Sequence, residues 1–217
     1  MSGDRPHLYV YVGPNGSGKS TVTNISRLDD SVRSRFVNAD IIAKNITNGD
    51  YLERNLLAAQ KAESLREYYL SSHQSFAFET VGSRPDKLEF MRRAREEGFA
   101  IHIIFVTTCS PEINKSRILS RESKGGHGVP EEKIVSRYHR TMDLLPEYVK
   151  MADEFLAIDN SGNHPVPVFS KVGQRCRVIE NPSLIPWVGN LYNQYPQSTR
   201  DLKDPQDVDV YTRYRKD

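Results

Sequence analysis

LYVYVGPNGSGKST, residues Leu8 to Thr21, decides how the rest of the chain is read. Five apolar residues run straight into a glycine-rich turn, and the turn runs into a helix-forming stretch. Gly13, Gly18, Lys19 and Ser20 meet the spacing G-x-x-x-x-G-K-[S/T] with a strand before and a helix after, the context that pattern requires. Glycines are needed because backbone N–H groups must wrap a phosphate in conformations that a β-carbon obstructs. The following helix adds the positive end of its dipole. On this reading Gly13, Asn15, Gly16, Ser17, Gly18, Lys19, Ser20 and Thr21 hold a nucleotide. Lys19 reaches the β- and γ-phosphates, Ser20 ligates Mg²⁺ and Thr21 approaches the α-phosphate. ATP is the expected cofactor, and Mg²⁺ arrives with it, because no cluster in the chain has metal-ligand spacing.

Outward from this stretch, apolar runs alternate with helical ones. LYVYV (8–12), RFVNA (35–39), SFAFE (75–79), AIHIIFV (100–106) and EFLAID (154–159) read as strands. Helices are expected over 19–29, 51–72, 85–97, 111–122 and 130–152. The alternation implies an α/β fold of the P-loop NTPase type, a mainly parallel five-stranded sheet with helices on both faces. Asp50 and Glu53 spell a capping box, Pro85, Pro111 and Pro130 mark helix starts, and Gly98 marks a helix end. Residues 1–160 form the expected core. Residues 161–217 form an extension packing on it, with either a short hairpin turning at Gly173 or an irregular cover, then a polar tail.

Composition narrows the partners. Thirty basic residues against 28 acidic ones leave a net charge of +2 over 217 residues, without the basic excess of a dedicated nucleic-acid binder. Two cysteines, Cys109 and Cys176, give neither a disulfide framework nor a zinc spacing, and read as thiols of a reducing compartment. The start of the chain lacks the pattern of a signal peptide, and AIHIIFV is too short to span a bilayer. The expectation is a cytoplasmic protein with no membrane partner.

A loop of this spelling serves transport motors and small-molecule kinases alike. A motor needs an LSGGQ-like element and an apolar strand ending in Asp-Glu. Here Gly125-Gly126 lacks the Leu-Ser before it and the Gln after it, and AIHIIFV ends in Thr107-Thr108. A kinase needs a carboxylate to take the acceptor's proton and arginines to neutralise the moving phosphoryl group. Asp40 follows the strand in FVNAD and so emerges at the carboxyl edge of the sheet. It is the candidate base, and an Asp there also serves to cap the following segment IIAKNI. Glu79 ends the strand of FAFETV at the same edge, placed either to bind a substrate hydroxyl or to orient the Mg²⁺ shell. Arg117 and Arg121 precede GGHGVP while Arg137 and Arg140 follow it. A glycine-rich turn between arginine-bearing helices suits a lid that closes over triphosphate and excludes water. Arg121 and Arg137 are the catalytic candidates in that group.

GPNGSGKST, FVNAD, FAFET and R-x-x-x-GGH-x-VP with a following SRYHR, in order over residues 7–160, resemble the zeta toxin family of P-loop kinases. Better-known members phosphorylate a sugar hydroxyl of UDP-N-acetylglucosamine. The resemblance implies an ATP-dependent kinase for a small, nucleotide-linked sugar, with an antitoxin as protein partner where a member acts as a toxin. It implies Lys19 and Ser20 on the phosphates and Mg²⁺, Asp40 as base, Glu79 and Thr80 at the substrate, and Arg121 and Arg137 in the lid. Longer toxins carry a compact acid-Gly-Thr-Gly-Arg element where this chain reads ETVGSR, one residue longer, and Arg84 stands for that arginine. Two other readings stay open: a nucleotide switch whose hydrolysis only changes shape, and a polynucleotide 5′-hydroxyl kinase, against which the near-neutral charge argues.

Overall fold

The computed structural model describes residues 5–26, 28–123, 129–178 and 185–195. β1 (His7–Val12) leads through the glycine-rich loop to α1 (Lys19–Ile25). A short α2 (Asp30–Arg33), β2 (Phe36–Val37) and α3 (Ala39–Lys44) precede the long α4 (Tyr51–Ser71). Next come β3 (Phe76–Thr80), α5 (Asp86–Glu96), β4 (Ala100–Thr107), α6 (Pro111–Glu122) and α7 (Glu131–Asp143). α8 (Leu145–Met151), β5 (Glu154–Asp159), β6 (Val166–Val172), β7 (Arg175–Val178) and α9 (Pro186–Gln194) complete the described chain.

The seven strands among the described residues lie in one sheet, ordered β2-β3-β1-β4-β5-β6-β7. The five expected strands form its parallel body. The expected count of five is corrected by the segment after Asn160, which adds two antiparallel strands, β6 on β5 and β7 on β6. Gly173, at φ +58°, makes the tight turn between them, where Val172 pairs with Arg175.

Side chains alternate across a strand, so each strand feeds two cores. One face carries Leu8, Val10, Val12, Phe76 and Phe78 and is covered by α4, α5, α8 and α9. The other carries Tyr9, Tyr11, Ala77 and Ile104 and is covered by Val22 of α1 and Val32 of α2. Glu79, two residues after Ala77, therefore points to the α1 side, and Thr80 to the α4 side. Register brings the strand ends level: Val12 pairs with Thr80 and with Phe105, and Thr107 with Asp159. That level edge is where the glycine-rich loop, Val81, Thr108 and Asn160 emerge.

Local signals set most boundaries. Asp50 and Glu53 form the reciprocal capping box of α4. α5 ends in a Schellman arrangement, with Gly98 at φ +89° and the N–H groups of Gly98 and Phe99 bonded to Arg95 O and Ala94 O. Three expectations change. The helix expected over 130–152 is two, α7 and α8, because Pro146 has no N–H to continue the ladder and its ring crowds the carbonyl four residues back. The first helix stops at Ile25, where Ser26 turns extended and Tyr11 Oη donates to its Oγ at 2.6 Å. The strand expected over 35–39 keeps only Phe36 and Val37, because Asn38 already caps a helix.

Candidate active site

The loop is built tight before any ligand is considered. A β-carbon on Gly13 would lie 2.0 Å from Val106 O, one on Gly16 2.5 Å from Asn114 O, and one on Gly18 2.1 Å from Asn160 Nδ2. Gly16 and Gly18 also sit at φ +80° and +90°, where an L side chain is strained. Two asparagines brace the loop, one on α6 and one just after β5. Asn114 Nδ2 donates to Asn15 O at 2.8 Å, and Asn160 Nδ2 donates to Ser17 O at 2.8 Å. The Ser17 side chain is enclosed, and its Oγ is the one buried side-chain oxygen or nitrogen without a hydrogen-bond partner among the described residues.

Lys19 opens α1 and folds back across the loop, its Nζ donating to Gly13 O at 2.7 Å and Pro14 O at 3.0 Å. Burial lowers its pKa, the carboxylates of Glu79 and Asp40 raise it, and Arg121 lowers it further. Ser20, one residue on, donates from Oγ to both oxygens of Glu79 at 3.3 Å. Glu79 is pushed above the usual carboxylate range, first by burial and then by Asp40, while Lys19, Ser20 and Asn38 pull it back. Lys19, Glu79 and Asp40 thus form one electrostatic cluster at the carboxyl edge of the sheet, with Arg121 acting on the lysine.

Asn38 organises that cluster. Its Oδ1 accepts from the N–H groups of Asp40 at 2.8 Å and Ile41 at 3.3 Å, which makes it the N-cap of α3. Its Nδ2 donates to Glu79 Oε2 at 3.1 Å. Capping by Asp40 is thereby corrected: Asn38 holds that role in extended backbone, and Asp40 stands exposed in the first helical turn.

The other expected residues fall as follows. Asn15 is held on both ends, its Oδ1 accepting from Arg137 Nη1 at 3.2 Å, so α7 reaches the loop through one of the expected arginines. Arg121 is exposed in the last turn of α6. Arg117 instead ties down the β5–β6 connection by donating to Gly162 O at 3.2 Å. Thr21 is exposed on α1, its N–H bonded to Gly18 O at 3.0 Å. Thr80 O accepts from Gly13 N at 3.2 Å, and its Oγ1 accepts from Gly82 N at 3.3 Å. Arg84 lies apart, largely exposed and 3.6 Å from Asp86 at the start of α5. Gly125, Gly126 and His127 of the expected lid lie outside the described residues. Asn38, Asn114 and Asn160 were not among the expected residues. Asn38 carries a readable signal, an Asn directly before a helix. The other two bind carbonyls 99 and 143 positions away, and nothing local announces that.

The donor chemistry also fits Mg²⁺. A serine hydroxyl and a glutamate carboxylate, both hard oxygen donors, face each other beside the loop lysine, as that ion prefers.

Residues 1–164 match the family model described as Zeta toxin. The chain belongs to the zeta toxin family. An uncharacterized protein of Haemophilus influenzae is 32% identical over 128 residues, which span 59% of this chain and 89% of that protein. Among solved structures, a chain of the AvrRxo1-ORF1:-ORF2 complex with ATP superposes with a TM-score of 0.68 at 15% identity, over 93% of this chain and 67% of that one. A chain from the PezAT chromosomal toxin-antitoxin system of Streptococcus pneumoniae gives 0.56 at 14% identity, over 98% and 87%. A putative kinase from Chloroflexus aurantiacus gives 0.54 at 19%, over 86% and 98%. At such identities the superpositions speak to the fold alone, an α/β domain with a mostly parallel sheet, which this zeta toxin family member shares with them.

Proposed function

We propose that the protein is an ATP-dependent kinase that transfers the γ-phosphoryl group to a hydroxyl of a small, nucleotide-linked sugar resembling UDP-N-acetylglucosamine. One observation carries the kinase part: Ser20 of the phosphate loop meets Glu79 at 3.3 Å, and Glu79 shares Asn38 with the helix turn that presents Asp40. Donor loop and candidate base are thus joined by hydrogen bonds. Membership of the zeta toxin family supports the sugar acceptor, and the ATP named for one similar structure supports the donor.

The chemistry follows from where the groups stand. Asp40 takes the proton of the acceptor hydroxyl as its oxygen bonds to the γ-phosphorus, and the bond to the β–γ bridging oxygen breaks, its electron pair leaving with ADP. Lys19 turns from the loop carbonyls to the phosphates. Arg121 and Arg137 neutralise charge on the phosphoryl oxygens. Ser20 and Glu79 would hold Mg²⁺, which offsets phosphate charge when bound. Arg84 and Thr80 are assigned to the acceptor side, and residues 161–217 to an extension on the 1–160 core. The toxin-antitoxin system named for one similar structure supports an antitoxin as protein partner, and two unpaired thiols, Cys109 and Cys176, support a cytoplasmic setting.

Two substitutions separate the roles. Lys19→Ala is expected to lose ATP binding. Asp40→Asn is expected to keep ATP binding and lose transfer by ~10²–10⁴-fold, the scale of a missing general base. Equal loss of ATP affinity in Asp40→Asn would instead make Asp40 part of the nucleotide site.

A further inference from the structure

The chain's single tryptophan joins the C-terminal extension to the support of the phosphate loop. Trp187 is buried in α9, which lies beyond the residues that match the family model. Its indole Nε1 donates to Asp159 Oδ2 at 3.0 Å. Asp159 is a buried carboxylate at the end of β5. Ser161 gives it two more donors, its N–H to Oδ1 at 2.9 Å and its Oγ to Oδ2 at 3.1 Å. Ser161 Oγ in turn accepts from Cys109 N at 2.7 Å, so the segments after β4 and β5 are tied together. A carboxylate taken out of water needs such donors, and the indole brings one from a separate helix.

The next residue is Asn160, one of the two braces of the loop. Side chains alternate along β5, with Ala157 in the core that α9 covers and Ile158 in the core that α1 covers. Asp159 therefore turns toward α9 and Asn160 toward the loop, where its Nδ2 donates to Ser17 O at 2.8 Å and lies against Gly18. Asn160 N donates to Thr107 O at 2.8 Å, which carries the β4–β5 ladder past Asp159. Two neighbouring side chains on opposite faces of one strand end share the backbone that aims them, so a partner that fixes Asp159 also fixes the direction of Asn160. A backbone carbonyl satisfies a buried indole N–H as well as a carboxylate does. Anchoring α9 alone does not require the carboxylate beside the loop's brace.

We propose that Trp187 is a positioning residue of the nucleotide site, acting through Asp159 and Asn160 on the Ser17 carbonyl and so on the shape of the phosphate loop. A helix beyond the family match then supports the donor site, and nucleotide affinity depends on it. This rests on the reading of the loop as a nucleotide site and is independent of which acceptor is phosphorylated.

The test measures affinity for a non-hydrolysable ATP analogue with Mg²⁺ by calorimetry on the full chain, beside thermal melting. Trp187→Phe keeps a ring in the core and drops the N–H. It is expected to weaken binding by about 3–10-fold, the scale of one hydrogen bond. Asn160→Ala is expected to weaken it to a similar degree. In the double variant the effect of Trp187→Phe should largely vanish, because the residue through which it acts is already gone. Leu191→Ala, on the same helix and buried in the same core, is expected to lower Tm with nucleotide affinity unchanged. A lowered Tm with wild-type affinity in Trp187→Phe would make the indole an anchor of α9 alone and overturn the proposal. Full additivity with Asn160→Ala, or an equal loss of affinity in Leu191→Ala, would overturn it too. Failure of the underlying readings would look different. Wild type that binds no nucleotide would sink the loop assignment and the proposal together. Affinities that follow the expected pattern, with no acceptor phosphorylated by wild type, would sink the kinase reading alone.

Discussion

Asn38 Nδ2 donates to Glu79 Oε2 at 3.1 Å while its Oδ1 caps the helix that begins with Ala39 and Asp40. One amide thus fixes both candidate acids. Asp caps helices as well as Asn does, so Asn38→Asp separates the two tasks. It is expected to fold normally yet lose about 10–100-fold in phosphate transfer, because a donor to a charged group becomes a second carboxylate. Asn38→Ala is expected to cost about 1 kcal/mol in urea denaturation for the lost cap. Full activity in Asn38→Asp would reduce Asn38 to a cap.

The raised pKa of Glu79 predicts a trade between stability and activity. A carboxyl whose folded-state pKa lies above its unfolded value costs stability when ionised. The cost is full above the folded pKa and gone below the unfolded one. Burial is the main cause here, with Asp40 adding to it. Glu79→Gln is therefore expected to raise Tm at neutral pH in nucleotide-free buffer. The gain should fade as pH falls from the raised folded-state pKa to the ordinary carboxylate range and be gone below it, and transfer should be lost throughout. The acid limb of wild-type kcat/KM should lie above that range too, since the ionised carboxylate is the form that offers both oxygens to Ser20 and Asn38 and the charge a metal ion needs.

Gly18 is constrained twice, by φ +90° and by Asn160 Nδ2 at 2.1 Å from any added β-carbon. Gly18→Ala is expected to lose stability and nucleotide affinity together. Pairing it with Asn160→Ala removes the clash but not the dihedral strain. The double variant should recover part of the loss and retain a deficit of about 1–2 kcal/mol. Strict additivity in a double-mutant cycle followed by urea denaturation would show that the two residues do not meet.

Arg137 ties α7 to the loop through Asn15 Oδ1 at 3.2 Å. Arg137→Ala and Asn15→Ala are each expected to weaken transfer more than ADP binding, because the arginine's charge matters most on the moving phosphoryl group. Equal loss in both measurements would limit the pair to holding the loop.

What the sequence made legible follows the reach of each interaction. The run from Leu8 to Thr21 announced strand, loop and helix because all its signals are local, and so did the Asp50–Glu53 box. The break at Leu144 was equally local, written in Pro146 and outweighed by the apolar spacing on either side. Asp40 and Glu79 were found as strand-end acids, but their link through Asn38 spans 41 positions and exists only once β2 and β3 pair. Asn114 and Asn160 are further cases.

Transfer of label from γ-³²P-ATP tests the central claim most directly, with Mg²⁺ and a panel of nucleotide sugars and their uncharged sugar counterparts as acceptors. The prediction is label in a phosphomonoester of a nucleotide sugar, absent with Asp40→Asn. Label released only as inorganic phosphate, at a rate no acceptor changes, would contradict it and leave a hydrolytic switch.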